Sequence, residues 1–88
     1  MAYQVELLPS ARRDLRRLPK PAQIRLVARI RELAVNPRPA DAIKLAGAEN
    51  AWRIRVGDYR VLYEVHDKRL LVLVIRIGHR KDVYRKRK

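Results

Sequence analysis

Between residues 51 and 79 the chain alternates apolar and polar side chains in short runs broken by two-residue turn signals, which leaves few folds open. Strand-like segments at 52–56, 59–66 and 69–77 are separated by Gly57-Asp58 and Asp67-Lys68, predicting an antiparallel meander. A two-residue turn at Gly57-Asp58 sets the register of the first hairpin. Val56 then faces Tyr59, Arg55 faces Arg60, Ile54 faces Val61 and Arg53 faces Leu62. Side chains alternate with period two, so Trp52, Ile54, Val56, Tyr59, Val61 and Tyr63 share one face. Arg53, Arg55 and Arg60 share the other. The run LLVLVI at 70–75 is apolar on both faces and belongs in the centre of the sheet, with Gly78 expected to end that strand.

The first half reads differently. Residues 3–8 predict a strand with Tyr3, Val5 and Leu7 on one face, ended by Pro9. Ser10 is placed to cap a helix over 11–18, in which Ala11, Leu15 and Leu18 form an apolar stripe. Pro19-Lys20-Pro21 breaks that helix and restarts the chain, Pro21 suiting a first helical position. The second helix carries Ala22, Leu26, Val27, Ile30, Leu33 and Ala34 on one face, with Arg25, Arg29 and Glu32 pointing away, and Asn36-Pro37 stops it. Residues 40–50 read as a loop with Ile43 and Leu45 as an apolar clasp. The order β-α-α-β-β-β predicts an α+β fold, a helical hairpin packed on a small antiparallel sheet, with a short basic C-terminal segment.

Eighty-eight residues suit one domain, 1–88. The absence of cysteine excludes disulfides, thiolate metal sites and thiol nucleophiles, and no metal or other cofactor is expected. The longest apolar run, 70–75, is far short of the ~20 residues that span a bilayer, and the first residues lack the apolar stretch of a secretory signal. A cytoplasmic protein with no membrane partner is expected. The formal net charge is +13, and of the 22 basic residues 16 are Arg. The planar fork of Arg matches phosphate, so nucleic acid or the ribosome is the expected class of partner.

Two arginines directly opposite each other, with a third on the same face, repel by roughly 1 kcal/mol per pair in water, and more where solvent is excluded. A bound phosphate would turn that repulsion into charge-assisted binding. Singly, each of Arg53, Arg55 and Arg60 fits a solvated surface; together they mark a candidate phosphate site. Arg80 follows the last strand and is within reach of the same edge, with Tyr84 four residues on, either a stacking platform for a base or a packing anchor for the tail. His79 is the one side chain near the cluster whose ordinary pKa of about 6.5 suits proton transfer, although strand alternation argues against it. His66 reads as a turn residue, and Glu64 as the partner of a neighbouring Arg.

The stretches WRIRVGDYRVLYEV and VLVIRIGHRKDVYR, with the ARRDLRRLP opening and the Asn36-Pro37 helix stop, resemble the RelE/ParE superfamily of bacterial toxin–antitoxin toxins over nearly the whole chain. The resemblance to the RelE branch implies a metal-independent, ribosome-dependent endoribonuclease that cleaves mRNA by 2′-hydroxyl attack on the adjacent phosphate. It carries the family's basic pair onto Arg53 and Arg55, its phosphate-contacting arginine onto Arg60, its leaving-group arginine onto Arg80 and its stacking tyrosine onto Tyr84. One departure stands out. Where well-studied RelE sites have lysines on the second strand, this chain has Arg53 and Arg55, which stay protonated and make poor bases.

The resemblance also implies a cognate antitoxin, itself commonly a DNA-binding protein, so that the complex would bind operator DNA. Two other readings remain open: a ParE-like inhibitor that binds DNA gyrase without catalysis, and a basic nucleic-acid-binding module.

Overall fold

The strand pattern of residues 51–79 organises everything else in the chain. The computed structural model describes residues 2–79. Strand β1 (Gln4–Leu7) leads into α1 (Pro9–Arg16) and α2 (Lys20–Glu32). A two-residue strand β2 (Ile43–Lys44) precedes β3 (Ala51–Val56), β4 (Tyr59–His66) and β5 (Leu71–His79). The five strands form one sheet in the order β1-β5-β4-β3-β2.

The α+β arrangement is the expected one, and β5 lies inside the sheet as its doubly apolar sequence requires. The sheet is mixed, however, because β1 runs parallel to β5, with Val5 beside Val72 and Leu7 beside Val74. A helical hairpin between β1 and the meander is the kind of long crossover that lets two parallel strands meet. Residues 43–44, expected in a loop, pair with Trp52 and Arg53 as the opposite edge strand. The turn after β4 is a 3-10 turn over Asp67–Arg69 with Leu70 at φ +50°, so β5 starts at Leu71 and runs through Gly78.

One sheet face carries the core. Ile54, Val56, Val61, Tyr63, Val65, Val72, Val74 and Ile77 are buried there against Ala11, Leu26, Ile30 and Leu33 of the helices and the turn that follows α2. Tyr3, Val5 and Leu7 pack on its margin. The buried Tyr63 hydroxyl donates to the Pro37 carbonyl at 2.7 Å, tying the chain after α2 to the sheet. Nearby, Asp67 accepts from Arg38 at 2.6 Å and from the Tyr3 hydroxyl at 2.6 Å, and the Arg38 guanidinium lies 5.6 Å from the Trp52 ring centre.

The apolar periodicity of β5 contains an irregularity. Tyr63 pairs with Val74 and Leu62 with Arg76, leaving Ile75 as an extra, bulged residue. The bulge shifts the phase of the strand, so Val74 and Ile77, three residues apart, both reach the core. Beyond Val74, β1 has turned away and α1 runs along the edge of β5 in its place. The Leu8 amide donates to the Val74 carbonyl at 2.9 Å, and the Ser10 hydroxyl to the Ile75 carbonyl at 2.8 Å. The Ile77 amide donates to the Asp14 carboxylate at 2.9 Å, and Arg76 Nε to the same oxygen at 2.8 Å. Helix side chains thus satisfy the backbone groups that a sheet edge leaves bare. Ser10 is therefore not the helix cap: Leu8 holds that position, and Pro9, with no amide to satisfy, opens the helix.

Asp14→Ala removes the acceptor of a part-buried amide and of a guanidinium, and is expected to destabilise the protein by about 2–3 kcal/mol in urea unfolding, with Ser10→Ala costing about 1 kcal/mol. Burial pushes the Tyr63 phenol up from 10.0 to about 12. Its folded pKa lies above its unfolded one, so the stability it contributes is complete below pH 10 and lost as pH rises through about 12. Tyr63→Phe is expected to lower stability by about 1 kcal/mol at neutral pH by stranding the Pro37 carbonyl, and to abolish the latest-titrating tyrosinate absorbance.

Candidate phosphate-binding face

The β3–β4 hairpin has the register that a two-residue turn demands: Val56 opposite Tyr59, Arg55 opposite Arg60, Ile54 opposite Val61 and Arg53 opposite Leu62. Gly57 takes φ +61° and Asp58 does not take a positive φ. That is the pattern of a type II′ turn, which needs glycine at its first central position. With Ile54, Val56 and Val61 buried on the helix side, Arg53, Arg55 and Arg60 are driven to the opposite face. The hydrophobic effect, not any attraction among the guanidiniums, assembles the trio. Directly opposed residues hold their Cβ atoms about 4.5–5.5 Å apart, so Arg55 and Arg60 leave the sheet side by side.

Arg55 is exposed, while Arg53 and Arg60 are partly buried. On the β5 side, Arg60 pairs with Gly78, which places no side chain opposite it. Arg76 belongs to the same face, but its guanidinium is turned to Asp14. The arrangement concentrates positive charge beside a backbone with little side-chain bulk, which suits a phosphodiester: a compact anion that accepts several charge-assisted hydrogen bonds.

His79 does not join this face. It pairs with Tyr59, and the two rings meet edge to face with centroids 6.0 Å apart. Tyr59 packs against the core cluster, so the sheet lies between the His79 imidazole and the arginine trio. The strand continues to His79, and the bulge at Ile75 decides the side: unbroken alternation from Val72 would have carried residue 79 to the arginine face. Arg80 and Tyr84 lie outside the described residues.

Glu64 meets His66: His66 Nε2 lies 2.8 Å from Glu64 Oε1, and Nδ1 lies 3.3 Å from the Asn50 side-chain nitrogen. The pair sits at the end of β4 away from the Gly57 turn. The helices add one residue that periodicity did not single out. Arg25 of α2 lays its guanidinium over Gly57, with Nη2 3.3 Å from where a Cβ on that glycine would stand. Nothing local in the sequence links residue 25 to residue 57.

Arg55→Gln removes one member of the opposed pair and is expected to raise stability by about 0.5–1 kcal/mol at low ionic strength. The gain should fade in 1 M salt, where the screening length is roughly 3 Å. Urea unfolding at two salt concentrations checks it, and a salt-independent effect would deny that the pair repels.

A model of the family described as ParE toxin of type II toxin–antitoxin system, parDE, matches residues 5–84. The toxin RelG of Mycobacterium tuberculosis is 34% identical over 94 residues, covering 98% of this chain and all of that protein. The mRNA interferase toxin RelE of Escherichia coli K12 is 31% identical over 88 residues, covering 96% of this chain and 92% of that protein. Among solved structures, a chain of the archaeal RelE–RelB complex from Pyrococcus horikoshii superposes with a TM-score of 0.81 at 32% identity, over 91% of this chain and 97% of that one. A chain of the intact E. coli RelBE toxin–antitoxin complex does so with a TM-score of 0.78 at 28% identity, over 89% of this chain and 96% of that one.

Proposed function

The chain belongs to the ParE toxin family of type II toxin–antitoxin systems, as a toxin of the RelE type with a cognate antitoxin, and on that premise we propose that it acts by cutting messenger RNA on the ribosome. The observation that carries this reading is the Arg55–Arg60 pair, set directly opposite each other by the hairpin register with Arg53 on the same face. A gyrase-binding surface has no evident need for three arginines gathered on one face of a hairpin, whereas phosphoryl transfer does. The relatives named mRNA interferase support the same class of activity.

In the proposed reaction, the ribose 2′-oxygen bonds to the adjacent phosphorus while the bond from phosphorus to the 5′-oxygen breaks. The products are a 2′,3′-cyclic phosphate and a 5′-hydroxyl. Charge accumulates on the phosphoryl oxygens in the pentacoordinate transition state, where fixed guanidiniums aid most because they need no reorganisation. Arg53, Arg55 and Arg60 supply this stabilisation, and Arg80 the charge at the departing 5′-oxygen. Tyr84 stacks on a base and orients the strand. The three strand arginines remain protonated, so the 2′-hydroxyl proton passes to a group or water other than these, and the departing 5′-oxygen takes up a proton from solvent to leave as the 5′-hydroxyl. His79, across the sheet, is not part of the catalytic set in this reading. The remaining basic surface docks on ribosomal RNA, the antitoxin brings the complex to operator DNA, and the site of action is the cytoplasm, where ribosomes are.

The test is message cleavage with purified protein, with and without ribosomes. Wild type is expected to cut only ribosome-bound message, and Arg55→Ala, Arg60→Ala and Arg80→Ala each to slow cleavage by roughly 10²–10³-fold, the usual loss for one transition-state donor. Equal rates in all four proteins would overturn the site. The family description also names ParE, so a gyrase supercoiling assay is the counterpart: inhibition there, with no cleavage of message, would establish the non-catalytic reading instead.

A further inference from the structure

Arg25 of α2 is seated against the tip of the arginine hairpin. Its Nη2, Cζ and Nη1 lie 3.3, 3.7 and 3.7 Å from the position a Gly57 Cβ would occupy. All three atoms are nearly equidistant, so the guanidinium plane rests on the bare backbone of the turn. Glycine is favoured there by φ +61°, and its missing Cβ also leaves room for the arginine. Arg25 is itself exposed, so the guanidinium that sits over the turn stays open to solvent.

The acidic groups pass Arg25 by. Arg29 is paired with Glu32 and Asp41, Arg38 with Asp67, and Arg76 with Asp14. Arg25 has no acidic partner among the described residues, although Asp58 is the very next residue after its platform. Several other described arginines also stand outside these ion pairs; what sets Arg25 apart is its seat on the Gly57 turn. Its platform is also the turn that joins Arg55 to Arg60. Arg55 stands two residues before Gly57 and Arg60 three after it, on the other side of the sheet. Arg25 and the trio thus flank the same turn, which puts them within the span of one extended strand passing the hairpin tip.

We propose that Arg25, seated on Gly57, binds a backbone phosphodiester of the RNA strand flanking the one held by Arg53, Arg55 and Arg60. This second phosphate locus rests on the ribonuclease reading above. It fixes the path of the message around the Gly57-Asp58 turn and contributes to binding rather than to the chemical step, so Arg25 is a positioning residue. Lysine would keep the charge but lose the flat fork that both lies on the glycine and faces the phosphate.

The experiment compares wild type, Arg25→Ala and Arg25→Lys in two assays: cleavage of ribosome-bound message, and binding of a short oligoribonucleotide whose scissile ribose is 2′-deoxy. Arg25→Ala is expected to raise KM for the message about tenfold with kcat within twofold, and to reduce the slope of log affinity against log salt by about 0.7, the value for one phosphate contact on a single strand. Arg25→Lys should recover part of the affinity and the full salt slope. A merely structural role would not move the salt slope, and unfolding midpoints of the exposed-site variants should match wild type. Unchanged KM and salt slope would overturn the proposal. A loss of affinity for empty ribosomes equal to that for message would also overturn it, in favour of a ribosomal RNA contact. If wild type cuts no message, the ribonuclease reading falls, and the oligoribonucleotide still decides Arg25: a lower slope in Arg25→Ala supports the locus, and identical binding removes it.

Discussion

One extra residue in the central strand governs both faces of the sheet. The bulge at Ile75 lets Val72, Val74 and Ile77 all reach the core, where strict alternation would have buried Arg76 and exposed Ile77. A charged side chain in that core would be far more expensive than a local break in the ladder. The bulge is held from the side: Ser10 hydrogen-bonds the Ile75 carbonyl and Asp14 the Ile77 amide, so the first helix docks through the same contacts that stabilise the irregular strand. The same phase shift sets Gly78 beside Arg60 and turns His79 toward Tyr59, away from the arginines.

The arginine face is a by-product of core formation used for chemistry. Burying one side of the hairpin forces its alternate residues outward, and among those nearest the turn are Arg53, Arg55 and Arg60. Repulsion among them is tolerated because the core on the other side more than offsets roughly 1 kcal/mol per pair. The remaining arginines divide by their partners. Arg29, Arg38 and Arg76 each meet a carboxylate, and Asp67 is held below the ordinary carboxylate range chiefly by its hydrogen bond from Arg38. With 22 basic and 9 acidic side chains, such pairing must leave most of the positive charge uncompensated, which favours binding to a polyanion.

Much of this was legible before any coordinates. The two-residue Gly57-Asp58 turn and the flanking alternation are local signals, and they prescribe which residues oppose which; Arg55 against Arg60 follows from counting. The helical hairpin also follows from its apolar period and its prolines. Less legible were features that depend on distant segments. Whether Pro9 ends a strand or opens a helix, and whether residues 43–44 form a loop or an edge, depends on the sheet they meet. Parallel pairing of β1 is invisible in a tetrapeptide, because its partner is more than sixty residues away.

The sequence by itself determined that this chain is a meander with arginines on one face, because period-two alternation and a short turn leave no other way to bury its apolar residues. Only the tertiary structure decided what surrounds that face. A bulge inserts one residue without any mark in the local pattern, so the sides taken by Ile77, Gly78 and His79 were settled by the packing of α1 against β5. Likewise Arg25 meets Gly57 because α2 crosses the sheet where it does. Such contacts lie across the fold, where geometry rather than sequence spacing decides which groups meet.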